Sequence, residues 1–257
     1  MTPPKIDPTN PKALLHELFD DDRWVKDQFA ERLGEPILDL CEALAACFRL
    51  VPLLNEAANR TGTIRAAFVA GFVYGVLDDI LISTKLLLTC KLPASGNVMR
   101  QVVEGIAMPI LCSADSPATV RQATKKKNEV RALYWERLEQ DDTCTQRHLA
   151  LSQLEWNALA LGVSAGVVER LRLAKNHYNI FTHCGKVTIA SRMALEQVGA
   201  AYVDGHFDLA KRGGDRNELD QRIGLCRVLP PFIERMLAAI TPPAAAPGAT
   251  AQHAEPA

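Results

Sequence analysis

Apolar side chains recur at the spacing of an α-helix through almost the whole interior of this chain, from residue 12 to residue 240. No stretch alternates between apolar and polar residues, and no Asn-Gly or Asp-Gly pair joins two β-branched segments, so no sheet is predicted. The pattern therefore predicts an all-α bundle of about eight helices. Turn-forming residues separate these helices at 34–36, 60–62, 93–96, 113–117, 140–143, 162–164, 205 and 213–214.

Helix-capping residues and chain composition define one domain with a tail at each end. The interior has no repeat of fixed period and no linker, so residues 11–241 are predicted to form a single helical domain. Residues 1–10 are rich in proline and residues 242–257 are rich in proline and alanine, which predicts disordered tails. Capping residues indicate three helices: from Ser95 or Asn97 to Cys112, from Ser116 and Pro117 toward Glu139, and from Asp215 toward Ile240.

Composition narrows the functional classes. The 29 basic and 30 acidic residues nearly cancel, so any nucleic acid must bind a local basic patch. Seven cysteines without a C-x-x-C pair indicate a reducing compartment, in which these residues act as small buried hydrophobes. The N-terminus has no basic segment followed by an apolar one, so it does not resemble a secretory signal. A cytoplasmic protein is expected.

One apolar run raises the question of a membrane. Residues 66–77 form the longest such run, and Asp78 and Asp79 follow it directly. The run is too short to cross a bilayer, and two carboxylates would be costly in lipid. A buried core helix without membrane association is therefore predicted.

The most polar chemistry lies in residues 169–185, E-R-L-R-L-A-K-N-H-Y-N-I-F-T-H-C-G. On a helical wheel one polar stripe contains Arg172, Asn176, Asn179 and His183. His177 lies beside Arg170 in an arc that should pack inward, formed by Leu173, Ala174, Ile180 and Phe181. Two interpretations follow. Either the stripe is solvated and His177 is a satisfied core histidine, or the stripe faces a groove or a second subunit.

Three short motifs resemble the HEPN superfamily of small helical bundles. Arg172 to His177, R-L-A-K-N-H, resembles its R-x4-6-H signature, which Arg170 to His177 also fits with six intervening residues. Tyr178 to His183 is similar to the Y-x4-H segment of uncharacterised bacterial HEPN-like families. Those families also carry an upstream R-x3-E, and here Arg100 to Glu104 matches it.

The resemblance implies metal-independent RNA cleavage, or RNA binding, in a bacterial stress or defence system. His177 or His183 would then transfer protons and Arg172 would hold the phosphate. Arg170, Lys175, Asn176 and Asn179 would bind substrate, while Arg100, Glu104 and Tyr178 would support the site. Arg100 and Glu104 also suit an ordinary intrahelical ion pair. The rival hypotheses are a non-catalytic module that binds a protein partner or a nucleotide, and a purely structural bundle. A homodimer with this helix at its two-fold axis is predicted.

Other kinds of site lack the required spacing. Asp78 and Asp79 have no third acid to complete a magnesium site, and no E-x-x-H is present for a di-iron bundle. His177, His183 and Cys184 are not accompanied by C-x-x-C or H-x3-H, so no metal is expected. Neither common phosphate-binding glycine loop is present, and no cofactor is predicted. The run of residues 125–127, three lysines, is interpreted as a solvated helix face.

Overall fold

The computed structural model describes residues 7, 9–182, 185–195 and 205–241. These residues form an all-α single-domain bundle with one small hairpin, which confirms the predicted fold class. The helices are α1 (Pro11–Leu18), α2 (Arg23–Phe48), α3 (Val51–Thr61), α4 (Ile64–Leu87), α5 (Leu92–Cys112), α6 (Tyr134–Glu139), α7 (Ala150–Asn157), α8 (Ala165–Asn179), α9 (Lys186–Arg192) and α10 (Arg212–Ile240). The strands are β1 (Ala118–Arg121) and β2 (Val130–Ala132).

Helix α4 is the centre of the bundle. It packs along α5 and also contacts α3 and α10. It is the one helix among the described residues that is long enough and apolar enough to cross a membrane, by length and composition alone. In the fold its side chains Val69, Val73 and Ile80 are buried in the core, as predicted for residues 66–77. The helix continues past Asp78 and Asp79 to Leu87. Both carboxylates lie on the side of the helix and are only half-buried, so they remain in contact with solvent.

Several predicted turns lie inside helices. Residues 34–36 belong to α2, where Leu33 has the non-helical angles φ −135° and ψ 24° and marks a kink. Pro93 is in the first turn of α5, where a missing N–H leaves no hydrogen bond unmade. Residues 213–214 likewise belong to the first turn of α10. By contrast, Gly62 ends α3 with a left-handed φ of 63°, as its place in a predicted turn requires.

The segment predicted as one helix from Ser116 to Glu139 is instead a hairpin followed by the short helix α6. Strands β1 and β2 pair antiparallel. Side-chain amides of α7 satisfy the open edge of β1: Asn157 accepts a hydrogen bond from the Thr119 N–H at 2.8 Å and donates one to the Thr119 carbonyl at 3.0 Å. Gln153 donates to the Val120 carbonyl at 2.7 Å. The three lysines at 125–127 therefore lie in the exposed hairpin loop, not on a helix.

The described cysteines are all free thiols. Cys47, Cys112 and Cys226 are buried, as expected for small apolar side chains. Burial raises the pKa of the Cys47 thiol to about 11. Cys41 is exposed, so its prediction as a buried residue was wrong.

Candidate functional site

A continuous polar chain joins helix α8 to the bundle core through helix α10. His177 Nε2 lies 2.9 Å from Glu218 Oε1. The other carboxylate oxygen of Glu218 accepts a hydrogen bond from Arg222 Nη1 at 2.8 Å. Arg222 Nη2 then donates to the hydroxyl oxygens of Ser83 on α4 and Ser95 on α5, at 2.9 and 2.7 Å. We refer to these five residues as the His177–Arg222 chain.

Most of the His177–Arg222 chain is removed from solvent. Arg222 is 0% exposed and Glu218 4% exposed, whereas the His177 side chain is 40% exposed. Hydrogen bonds offset part of the cost of burying an ion pair. The two serine hydroxyls accept from Nη2 of Arg222, whereas its buried Nε has no hydrogen-bond partner among the described residues. The His177–Arg222 chain therefore connects the core to the surface and fixes the orientation of the His177 ring.

Glu218 and Arg222 were absent from the predicted site. Both lie in the charged stretch D-R-N-E-L-D-Q-R at residues 215–222, which has the composition of an exposed helix start. A signal was nevertheless present. Glu218 and Arg222 are four residues apart and continue, at the same spacing, into Cys226 and then Leu229 and Ile233. These three are buried, so the two charged residues occupy the core face of α10.

The His177 ring has the surroundings of an oriented histidine. A carboxylate oxygen only accepts hydrogen bonds, so Nε2 carries the proton that is shared with Glu218. Nδ1 has no hydrogen-bond partner in the described part of the chain. The ring also packs edge-to-face on Tyr178, with centroids 4.9 Å apart, and on Phe181 at 6.0 Å. Such an arrangement leaves one ring nitrogen able to accept or donate a proton.

The predicted pairing of Arg172 with His177 is not formed. Arg172 is exposed and forms ion pairs with Glu169 and, at 3.9 Å, with Glu155. Arg170 is also exposed, and it has no ion-pair or hydrogen-bond partner among the residues that the structure describes. The arginine linked to His177 is therefore Arg222, through the carboxylate of Glu218.

Helix α8 packs on α5 and α7 with a face that only partly matches the predicted one. Of the predicted inward arc, Phe181 is buried. The buried side chains of the helix are Val168, Leu171 and Tyr178, whereas Leu173 and Ile180 of the predicted inward arc are 59% and 45% exposed. The sequence did not predict this face as buried, because it also carries Lys175, and a charged side chain normally indicates an exposed position. In the structure Lys175 Nζ is neutralised by Glu104 Oε1 at 3.1 Å and donates to the His148 carbonyl at 3.0 Å.

Of the residues predicted to support the site, Arg100 and Glu104 meet Lys175 of α8, whereas Tyr178 packs against the His177 ring. Arg100 Nη1 lies 3.8 Å from Glu104 Oε1, so the predicted intrahelical pair is present. Lys175 approaches the same oxygen, which links α5 to α8. The Tyr178 hydroxyl is buried without a described partner, and burial raises its pKa to about 12. His183, which these residues were expected to support, lies outside the described residues.

The two asparagines of the predicted polar stripe take no part in either polar cluster. Asn176 is exposed and Asn179 is half-buried. Neither side chain forms a hydrogen bond within the described ranges. Both side chains therefore remain candidates for binding an external group, since neither is held by a hydrogen bond within the part of the chain that the structure describes.

An open apolar groove separates α8 from α10, and we call it the α8–α10 groove. Its volume is about 730 Å³, and its floor is helix α5. Polar contacts join α10 to α8 and to the turn that precedes α8. His177 contacts Glu218, and Arg235 donates to the carbonyl oxygens of Leu161 and Gly162. The apolar lining includes Met99, Val103, Ile106 and Ile110 on α5, Val167, Leu173 and Ala174 on α8, and Leu225, Val228 and Phe232 on α10.

Comparisons with protein-family models, with curated proteins and with solved structures found no match to this chain.

Proposed function

We propose that the protein is a non-catalytic interaction module that works as a homodimer, in which the α8–α10 groove of each copy takes helix α8 of the other. The observation that carries this proposal is that apolar side chains of α8, Val167, Leu173 and Ala174, border an open groove and not a closed core. Leu173 and Val167 on α8 are 59% and 42% exposed, and Val228 on α10 is 55% exposed. Exposed apolar side chains grouped around a groove are typical of a protein-binding surface.

Helix α8 supplies the second half of this contact. Val167 and Leu173 project from one wall of the groove, so each copy carries both a groove and an apolar helix beside it. A two-fold axis places such neighbouring features of one copy opposite the same features of the other. The groove floor runs from Met99 to Ile110 on α5, which is about 16 Å at the rise of an α-helix. That length fits about three turns of α8.

In the proposed dimer, opposite charges on the α8 wall of one copy and the α10 wall of the other would face each other. Arg170 borders the groove on α8 and has no described ion-pair partner, while Asp220 borders it on α10. Within one copy Asp220 is paired with Arg216 at 3.0 Å, and both side chains are about half exposed. Exposed pairs of this kind stabilise little, so Asp220 can exchange Arg216 for Arg170 of a second copy at low cost.

The arrangement within one copy favours binding over catalysis. A catalytic histidine needs access to a cleft and a convergent group that stabilises charge. The ring of His177 lines neither the α8–α10 groove nor the pocket at the start of α10. The guanidinium of Arg172 forms ion pairs with Glu155 and Glu169 and does not converge with His177.

The test is the oligomeric state of matched variants. We expect the wild-type chain to be a dimer at micromolar concentration by size-exclusion chromatography with light scattering. Leu173→Asp should give a monomer, because each dimer loses the burial of two leucines and its dissociation constant rises about 100-fold or more. Leu38→Asp on α2 is the control, since Leu38 is 61% exposed and lies away from the groove.

A wild-type monomer would contradict the proposal and assign the groove to a different partner. Equal dissociation by Leu38→Asp and Leu173→Asp would also contradict it, because the effect would then come from added charge and not from the groove.

A second candidate function is metal-independent RNA cleavage, which the resemblance to the HEPN superfamily implies. One observation favours it: Glu218 holds Nε2 of His177 and leaves Nδ1 for proton transfer, a role worth about 10²- to 10⁴-fold in rate. Arg170 lies two turns earlier on the same face of α8. Loss of cleavage of a single-stranded RNA, without metal, in His177→Asn but not in His148→Asn would support it. RNA left intact by the wild type would exclude it.

A further inference from the structure

A second pocket lies at the start of helix α10, on the other side of Glu218 from the groove. It encloses about 340 Å³. Three carboxylates line it, from Asp208, Asp215 and Glu218. The apolar part of its wall includes Leu92, Phe181, Val187, Ala190 and Leu195.

Asp215 is the unusual member of this pocket. It is 8% exposed, yet it forms no hydrogen bond and no ion pair with any described residue. The pKa of its carboxyl is raised to about 7, chiefly by burial; Lys211 lowers the pKa, and the neighbouring carboxylates of Glu218 and Asp208 raise it. A buried carboxylate without a partner costs free energy unless it is protonated or meets a cation.

The other charged groups of the pocket have partners. Asp208 accepts backbone N–H hydrogen bonds at 3.0 and 3.2 Å. Lys211 Nζ donates to the carbonyl oxygens of Ser191 at 3.0 Å and Met193 at 2.6 Å, so it is turned toward the backbone. Glu218 is held by the His177–Arg222 chain. The pocket therefore retains one carboxylate, that of Asp215, for an incoming group.

We propose that this pocket binds a small organic cation, whose primary ammonium group donates hydrogen bonds to Asp215 and whose short alkyl part packs on the apolar walls. Three carboxylates disfavour an anion in the same space. A volume of this size holds a small molecule, and one well-placed charge within apolar walls is the usual composition of such a site.

A metal ion fits the pocket less well than an ammonium group. No three His, Cys, Asp or Glu side chains are placed to hold a metal ion in the part of the chain that the structure describes. Magnesium and calcium need several oxygen ligands, which apolar walls do not supply.

Binding of the cation is coupled to a proton. The ammonium group binds the ionised form of Asp215, so its binding displaces the proton that the empty pocket retains near neutral pH. The affinity should therefore rise as the pH increases through 7. The other titratable or charged groups that face Asp215 are Cys90, His206, Asp208, Lys211 and Glu218. Burial lowers the pKa of His206 from its ordinary value.

Isothermal titration calorimetry of the full chain tests the proposal, with alkylammonium ions from methyl- to hexylammonium as probes. We expect n-butylammonium to bind about 10- to 100-fold more tightly than 1-butanol, as a charge-assisted hydrogen bond predicts. Repeating the titration in buffers with different ionisation enthalpies should reveal proton release. Asp215→Asn should lose the binding, and Asp39→Asn, at an exposed site on α2, should retain it.

Three results would overturn the proposal: no binding of any alkylammonium ion at millimolar concentration, equal affinities for n-butylammonium and 1-butanol, or full binding by Asp215→Asn. Circular dichroism of Asp215→Asn establishes that the variant is folded, so that its loss of binding reports on the carboxylate.

Discussion

Glu218 on helix α10 lies 2.9 Å from His177 on helix α8, and this contact joins a fully buried arginine to the protein surface. Arg222 holds the other oxygen of the carboxylate at 2.8 Å. The histidine is thereby linked, through two residues of α10, to serine hydroxyls of α4 and α5. The stability of the bundle and the orientation of the histidine therefore depend on the same carboxylate.

Replacing Glu218 by glutamine should destabilise the protein strongly. The substitution keeps the shape of the side chain but leaves the Arg222 guanidinium buried without a counter-charge, which costs about 3–5 kcal/mol. Urea denaturation followed by circular dichroism measures the loss. Glu234→Gln, on an exposed face of α10, should change stability by less than about 0.5 kcal/mol. A similarly small effect of Glu218→Gln would show that the ion pair does not stabilise the core.

His177→Ala should have a smaller effect. His177 makes one hydrogen bond to a buried carboxylate, but 40% of its side chain is exposed, so water can replace the ring. We expect a loss of about 1 kcal/mol in the free energy of unfolding. A loss of stability as large as that of Glu218→Gln would contradict the prediction that water can replace the ring at the exposed end of the His177–Arg222 chain.

Asp215 should make stability fall as the pH rises. Its pKa is raised from 3.8 to about 7 in the folded state, so between these values the folded chain binds the proton more tightly than the unfolded chain does. The free energy of unfolding should therefore decrease between about pH 4 and pH 7 and lose nothing further from this group above pH 7. Compared with Asp215→Asn, the wild type should lose about 2–4 kcal/mol across that window.

Thermal and urea unfolding of both proteins from pH 4 to pH 8 measures this difference. Asp39→Asn serves as the control, because the exposed Asp39 should give a variant that follows the wild-type profile. Parallel profiles for the wild type and Asp215→Asn would show that the carboxyl of Asp215 titrates normally.

Gly96→Ala should destabilise the contact between α5 and the end of α8. A Cβ at Gly96 would overlap the ring of Phe181, which is only 7% exposed and would have to move. We expect a cost of about 1–3 kcal/mol, as for other overpacked cores. The control is Gly71→Ala on α4, where no atom lies within 4 Å of the added Cβ. That variant should be more stable than the wild type by about 0.5–1 kcal/mol, which urea denaturation can resolve.

The sequence by itself determined the helical architecture. The 3.6-residue period of apolar side chains is a local property, and it correctly predicted a single all-α bundle and a core helix through residues 66–77, one face of which is buried. Local chemistry also located the helix that carries His177. The prediction of a helix was wrong in one segment whose local sequence is compatible with either a helix or a hairpin. Ser116 to Glu139 has helical composition, yet Asn157 and Gln153 of α7 stabilise a hairpin there through hydrogen bonds to its backbone.

Only the tertiary structure decided which groups surround His177. The widest apolar arc of α8 was expected to face inward, but Lys175 faces inward because Glu104, on another helix, neutralises its charge. Arg222 is buried because Ser83 and Ser95, 139 and 127 residues away in the chain, accept its hydrogen bonds. Helical periodicity records which residues share a face of a helix. The burial of a charged residue depends on partners that are distant in sequence, and these partners are known only when the helices have packed.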